Sequence, residues 1–138
     1  NIVCKSITIV NEQQQNIAYL GPSTENTGIF YLNNKNGKEI AYLGTNEWGG
    51  GLININNRFN KSVVYLGEDD QSSGLFHLYN KFSSIVLSGG VDVEASAGML
   101  DINNNRGTLM GRFVVVDNQG VLITLDSQGN LTGAIPEN

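Results

Sequence analysis

Asn36-Gly37-Lys38-Glu39-Ile40-Ala41-Tyr42-Leu43-Gly44, followed by Gly50-Gly51-Leu52-Ile53-Asn54-Ile55 and Asn56-Asn57, is a unit that returns along the chain. Its Tyr-Leu-Gly triplet stands also at Tyr19-Leu20-Gly21 and Tyr65-Leu66-Gly67, at a constant interval of 23 residues. A fixed period of this size is the mark of a repeat architecture. The Gly-apolar step that follows each triplet keeps the same interval at Gly28-Ile29, Gly51-Leu52 and Gly74-Leu75. Each step leads into a short apolar run that ends on Asn: Phe30-Tyr31-Leu32-Asn33-Asn34, Ile53-Asn54-Ile55-Asn56-Asn57, Phe76-His77-Leu78-Tyr79-Asn80.

A fourth copy is degenerate. Val86-Leu87-Ser88-Gly89-Gly90 takes the place of the triplet strand in register. Gly98-Met99-Leu100-Asp101-Ile102-Asn103-Asn104 then arrives one residue late, so the loop Val91–Ala97 has gained a residue. Past Asn104 the rhythm changes to three apolar runs, Phe113-Val114-Val115-Val116, Val121-Leu122-Ile123-Thr124-Leu125 and Leu131-Thr132-Gly133-Ala134-Ile135. Gly-containing turns at Asp117–Gly120 and Asp126–Gly129 separate them. Residues 1–104 are therefore expected to form a β-repeat shaft and residues 105–138 a C-terminal β-meander that caps it or joins it to something else.

Each repeat holds two strand candidates. Phe30/Leu32, Ile53/Ile55, Phe76/Leu78 and Leu100/Ile102 place large apolar residues two apart, with Tyr31, Asn54, His77 and Asp101 between them. This period-two alternation predicts strands with one face toward a core and the other toward water. In the triplet strand, Ala18/Leu20 and their equivalents Leu43 and Leu66 are expected to point inward. The predicted assembly core is thus Leu20, Phe30, Leu32, Leu43, Ile53, Ile55, Leu66, Phe76, Leu78, Leu100 and Ile102. No stretch keeps a helical period, so the expected class is all-β with almost no helix.

Asn36-Gly37 is a hairpin signal in which both residues tolerate positive φ, and Asn118-Gln119-Gly120 suits a slightly longer turn. Asn34, Asn57, Asn80 and Asn104 share one repeat position, where stacked repeats would let the amides form a ladder. The alternative is that Asn serves there for its tolerance of left-handed turn geometry.

Only 15% of residues are charged, against about 25% in an average protein. The net charge is −5 and the few Lys and Arg are dispersed along the sequence. That disfavours nucleic acid and anionic membrane as partners, both of which need clustered positive charge. No apolar run approaches the ~20 residues of a membrane span. A low-charge chain rich in Asn and Gly points to an extracellular, cell-surface or virion setting, and a start at Asn1 to a processed or truncated product. Asn60-Lys61-Ser62 and Asn130-Leu131-Thr132 match the glycosylation sequon, a short match expected by chance in an Asn-rich chain.

Two five- or six-residue strands per unit make a thin object with one apolar face and nothing to cover it. A monomeric β-solenoid would stack its own coils about 4.8 Å apart around a core. A homotrimer would contribute one wall per chain to a β-prism or triple-stranded β-helix. The Asn-Gly hairpin signal implies antiparallel neighbours and favours the trimer. The unit at Asn36–Gly44, read as Gly-Lys-x-apolar-Ala-x-Leu-Gly, resembles repeats of bacterial and phage fibre proteins, similar to the trimeric shafts of phage tail fibres and needles. The resemblance covers most of residues 5–104 and fades in later copies, where Gly37-Lys38 becomes Asn60-Lys61 and then Ser83-Ser84. It implies an elongated trimeric fibre.

Sites of chemistry are sparse. Glu47, Glu68-Asp69-Asp70, Asp92 and Glu94 collect in the loops after the triplet strand. The alternation of a calcium loop is missing from them. A polysaccharide depolymerase would need two carboxylates facing a cleft, for which Glu68, Asp69 and Asp70 are the candidates. His77 stands alone and is expected at the surface, with neither a zinc set nor a triad around it. Cys4 is the sole cysteine and reads as a small buried apolar residue, against an interchain bridge or a processing site. Trp48, in the Gly-rich loop Asn46–Gly51, is the candidate partner contact, toward a sugar, a receptor protein or a neighbouring chain. The expectation is a non-enzymatic fibre or filament subunit without cofactor or metal, whose partner is itself, as a homotrimer and in end-to-end polymers. The alternative is a receptor- or glycan-binding rod, and the depolymerase is a third reading.

Overall fold

The computed structural model of the chain describes residues 3–92 and 97–135. Among the described residues there are twelve strands and no helix. The order is β1 (Ile7–Val10), β2 (Asn16–Pro22), β3 (Gly28–Asn33), β4 (Glu39–Thr45), β5 (Gly51–Asn56), β6 (Ser62–Glu68), β7 (Gly74–Tyr79), β8 (Ile85–Asp92), β9 (Ala97–Asn103), β10 (Leu109–Val116), β11 (Gln119–Leu125) and β12 (Leu131–Ile135). The expected two strands per repeat are present, and three further strands follow Asn104. The chain packs as two units, Asn1–Gly67 and Glu68–Asn138, so the fourth repeat shares a unit with the meander. Glu94 and most of the lengthened loop Val91–Ala97 lie outside the described residues.

In the first unit β1 to β6 pair antiparallel in chain order. The register aligns Ile9, Ala18, Leu32, Ala41, Ile55 and Val64 in one row across the sheet, and Ile7, Leu20, Phe30, Leu43, Ile53 and Leu66 in a second row beside it. Directly paired residues share a face, so one side of this unit is apolar from strand to strand. The residues between, Thr8, Tyr19, Tyr31, Tyr42, Asn54 and Tyr65, form the central row of the other side.

The second unit repeats the scheme from β7 to β12. Phe76, Gly89, Leu100, Phe113, Leu122 and Ile135 form an apolar row, flanked by Leu78, Leu87 and Ile102. His77, Ser88, Asp101, Arg112, Ile123 and Ala134 run across the opposite side.

Among the described residues one turn is used nine times. At Asn11, Ser23, Asn34, Asn46, Asn57, Asp69, Asn80, Asn104 and Asp126, the residue's backbone carbonyl accepts from the N–H three residues on, and its own N–H donates to the carbonyl four residues on. The residue three positions on is left-handed in every case: Gln14, Asn26, Gly37, Gly49, Asn60, Ser72, Ser83, Gly107 and Gly129. This is a type I turn closed by a left-handed residue, the standard three-residue hairpin loop. It corrects the reading of Asn36-Gly37 as a turn with two positive φ values. Gly37 is left-handed at φ 73°, and Asn34 accounts for the rest by accepting from the N–H groups of Asn36 and Lys38 at 2.9 and 3.2 Å. The two-residue turn with both φ positive occurs instead at Asp117 (49°) and Asn118 (62°), shorter than the sequence suggests.

Candidate functional site

The expected core residues lie on the apolar side of each unit, and in the chain by itself that side is the open one. Leu20 is 51%, Leu43 50% and Leu66 48% exposed, and Ile102 and Phe113 are 54% and 51%. Ile53 and Leu100 are also exposed, while Phe30, Leu32, Ile55, Phe76 and Leu78 are partly covered. Among the described residues only Ala18 and Val114 are buried hydrophobics, both at 5%.

The polar side is the better covered, which corrects the expectation that His77 and Asp101 face water freely. Asp101 is 8% exposed. Arg112 lies beside it, its Nε and one terminal nitrogen donating to the two carboxylate oxygens at 2.6 and 2.7 Å. The Asp101 hydrogen bond, followed by the charges of Asp101 and Asp92, raises the guanidinium's proton affinity further against the opposing effect of burial. His77 is part-buried, with Nδ1 3.2 Å from the Tyr79 hydroxyl, and burial lowers its proton affinity. Long and aromatic side chains lie along this side and cover one another, as Tyr19 does on Tyr31 at 5.3 Å between ring centroids.

The Tyr-Leu-Gly triplet has a structural reason here. Tyr and Gly share the polar side, two residues apart, and the ring reaches across the glycine. The Tyr19 hydroxyl donates to the carbonyl of Pro22 at 2.9 Å, and that of Tyr42 to Thr45 at 3.3 Å. A Cβ on Gly21 would stand 2.5 Å from the Tyr19 hydroxyl, and one on Gly67 2.7 Å from that of Tyr65. A larger residue at the glycine would require the ring to swing aside and give up its place there. Leu of the triplet points the other way, to the apolar side.

The four repeat-position asparagines do not have their oxygens available for a ladder. Each carbonyl oxygen accepts from the N–H groups two and four residues on in its own turn, as for Asn57 from Phe59 and Lys61 at 2.8 and 3.2 Å. Asn80 still reaches the neighbouring turn with its amide, Nδ2 donating to the carbonyl of Asn105 at 2.8 Å, and further amide links between strands come one residue earlier. Asn33, Asn56 and Asn103 donate to the carbonyls of Asn16, Glu39 and Ile85 on the preceding strand.

Trp48 is 59% exposed, at the third position of its turn. Phe59 and Phe82 occupy the same turn position at 64% and 65%, with Arg58 and Lys81 over their rings at 4.8 and 5.0 Å. The sequence reading passed over both, although their offset of two from Asn57 and Asn80 equals that of Trp48 from Asn46. Cys4 is exposed rather than buried, since it precedes β1.

Bases dispersed in the sequence are gathered by the meander. In the first unit, Lys35, Lys38, Arg58 and Lys61 gather at one end of the strands, where they outnumber Glu12 and Glu39, and Glu25 and Glu47 sit in turns at the other. In the second, Lys81 and Arg106 share their end with Asp126, while Asp69, Asp70, Asp92 and Asp117 stand at the opposite end. No group of three or more His, Cys, Asp or Glu among the described residues could hold a metal. No family model matches the chain, and no curated protein does.

Proposed function

We propose that this chain is a non-enzymatic structural subunit of an extracellular or virion fibre or filament, a homotrimer assembled through its β-strand repeats. The observation that carries the reading is the apolar side of each unit, with Leu20, Leu43 and Leu66 about half exposed at one repeat position. Completing the burial of a leucine of this exposure contributes on the order of 1 kcal/mol, and the rows multiply that gain. A second and third copy offer the same apolar surface at the same spacing, which a closed symmetric assembly requires. Opposite charges on the two ends of the strands favour copies meeting basic turn to acidic turn. Among the described residues β1 has β2 as its sole neighbour in the first unit and β12 has β11 in the second, so both strands offer hydrogen-bonding edges for end-to-end growth.

Sedimentation equilibrium of the full chain and of a Leu43→Glu, Leu66→Glu variant tests the proposal. The parent is expected at the mass of three chains or a multiple, and the variant at lower mass; equal masses would oppose it. The alternative, a receptor- or glycan-binding rod, draws on the exposure of Trp48. Binding to a glycan array lost in Trp48→Ala favours that reading, and binding unchanged by the substitution argues against it.

A further inference from the structure

In the first three repeats a tyrosine ring covers the glycine two residues on. In the fourth, the tyrosine position holds Ser88 and the glycine position Gly90. Gly90 remains small for another reason: a Cβ there would stand 2.6 Å from the carbonyl oxygen of Gly74 and 3.1 Å from the Cα of Leu75. No ring of its own strand lies over it. The space is a groove of about 400 Å³ on the polar side of the second unit, within the size range of small-molecule sites of roughly 300–1,000 Å³.

The lining is divided by chemistry. Leu75, Met99 and Gly90 supply apolar surface, and Ser88, His77 and Arg112 supply hydrogen-bonding groups. Arg112 is held rigidly, because two of its donors are committed to the nearly buried Asp101. A preorganised guanidinium loses little freedom on meeting a ligand. Asp69 and Asp92 also line the groove, so its carboxylates outnumber its single guanidinium and an anionic ligand is disfavoured. A pyranose ring matches this division, since its C–H faces pack on apolar surface while its hydroxyls both donate and accept.

We propose that this groove binds a neutral pyranose, seated where the missing tyrosine ring would lie. One hydroxyl takes the place of the tyrosine hydroxyl, against the carbonyl of the residue three positions on, here Val91. The site is on the side opposite the apolar rows, so it stays accessible when copies cover those rows. It does not depend on the fibre reading.

The test is amide-detected NMR titration of the full chain with methyl glucoside, methyl galactoside, methyl mannoside and methyl glucuronide. Saturable shifts at His77, Ser88 and Gly90 with at least one neutral glycoside, and binding to it at least tenfold tighter than to the glucuronide, are expected. Ser88→Tyr restores the residue of the other repeats and fills the groove; it is expected to abolish binding while keeping or raising the melting temperature. His77→Ala, which widens the groove, is expected to weaken binding and covers the case in which Ser88→Tyr does not fold. Trp48→Ala is expected to leave it unchanged. No shift with any neutral glycoside, tighter binding of the glucuronide, or binding that survives Ser88→Tyr in a folded protein would overturn the proposal. Loss on Trp48→Ala alone would overturn it too, in favour of the exposed turn. The mass of the assembly, measured separately, tells failure here from failure of the fibre reading.

Discussion

The ring of Tyr42 lies across Gly44, and its hydroxyl closes the arrangement on the carbonyl of Thr45 at 3.3 Å. Adding a methyl group at Gly44 drives it into the ring. Gly44→Ala is therefore expected to cost about 1–3 kcal/mol, the usual range for overpacking. Removing the ring relieves the clash, so Gly44→Ala with Tyr42→Ser should cost less than the sum of the single changes. Urea melts of the four proteins give the coupling; strict additivity would contradict the contact.

Asn57 holds its turn with two backbone N–H groups, from Phe59 and Lys61. Asn57→Ala should lower stability by about 1 kcal/mol. Asn57→Asp should be close to neutral, because Asp69 and Asp126 perform the same task in their own turns. Chemical denaturation at neutral pH distinguishes the two substitutions.

Ser83 sits at φ 67° and Ser72 at φ 62°, where other copies of the turn use glycine. A side chain in this region costs roughly 1–2 kcal/mol. Each Ser→Gly change should raise the melting temperature, after an offset for the greater freedom of glycine in the unfolded chain. A fall in melting temperature for both variants would count against the turn geometry.

Burial lowers the proton affinity of His77 in the folded protein. The sign follows from linkage: a group easier to protonate when unfolded contributes stability above its unfolded pKa, and loses it as pH falls through the lower folded value. Stability should thus decline below the usual histidine range of about 6.5. His77→Gln should flatten that part of the profile. Asp126 behaves in the same direction at lower pH, because Asn130, followed by backbone N–H groups of its turn, holds its carboxyl below the ordinary value.

The repeat, the strand pairs and the apolar rows were legible because they rest on local signals. Tyr-Leu-Gly marks the period, and Phe30/Leu32 with Leu100/Ile102 mark the face. What was not legible depends on cross-strand neighbours. Asp101 alternates like a solvent residue, and only the pairing of β9 with β10 brings Arg112 over it. Lys35 and Arg58 look scattered until the antiparallel order puts their turns at one end of the strands. The ladder expected at Asn57 and its equivalents gives way to a turn-building role for the oxygen, while Asn56 joins strands one residue earlier and only Asn80 of the four carries an amide across to a neighbouring turn among the described residues. The groove is legible only in hindsight, as a tyrosine replaced by Ser88.

In the proposed assembly, further copies of this chain cover the apolar sides of the units. The most direct measurement is the mass of the purified protein at micromolar concentration by light scattering, with electron microscopy of the same sample. Particles of three chains, or filaments built from them, are expected, and they should dissociate when Leu43 and Leu66 are replaced by Glu. A single-chain mass for the parent protein would contradict it.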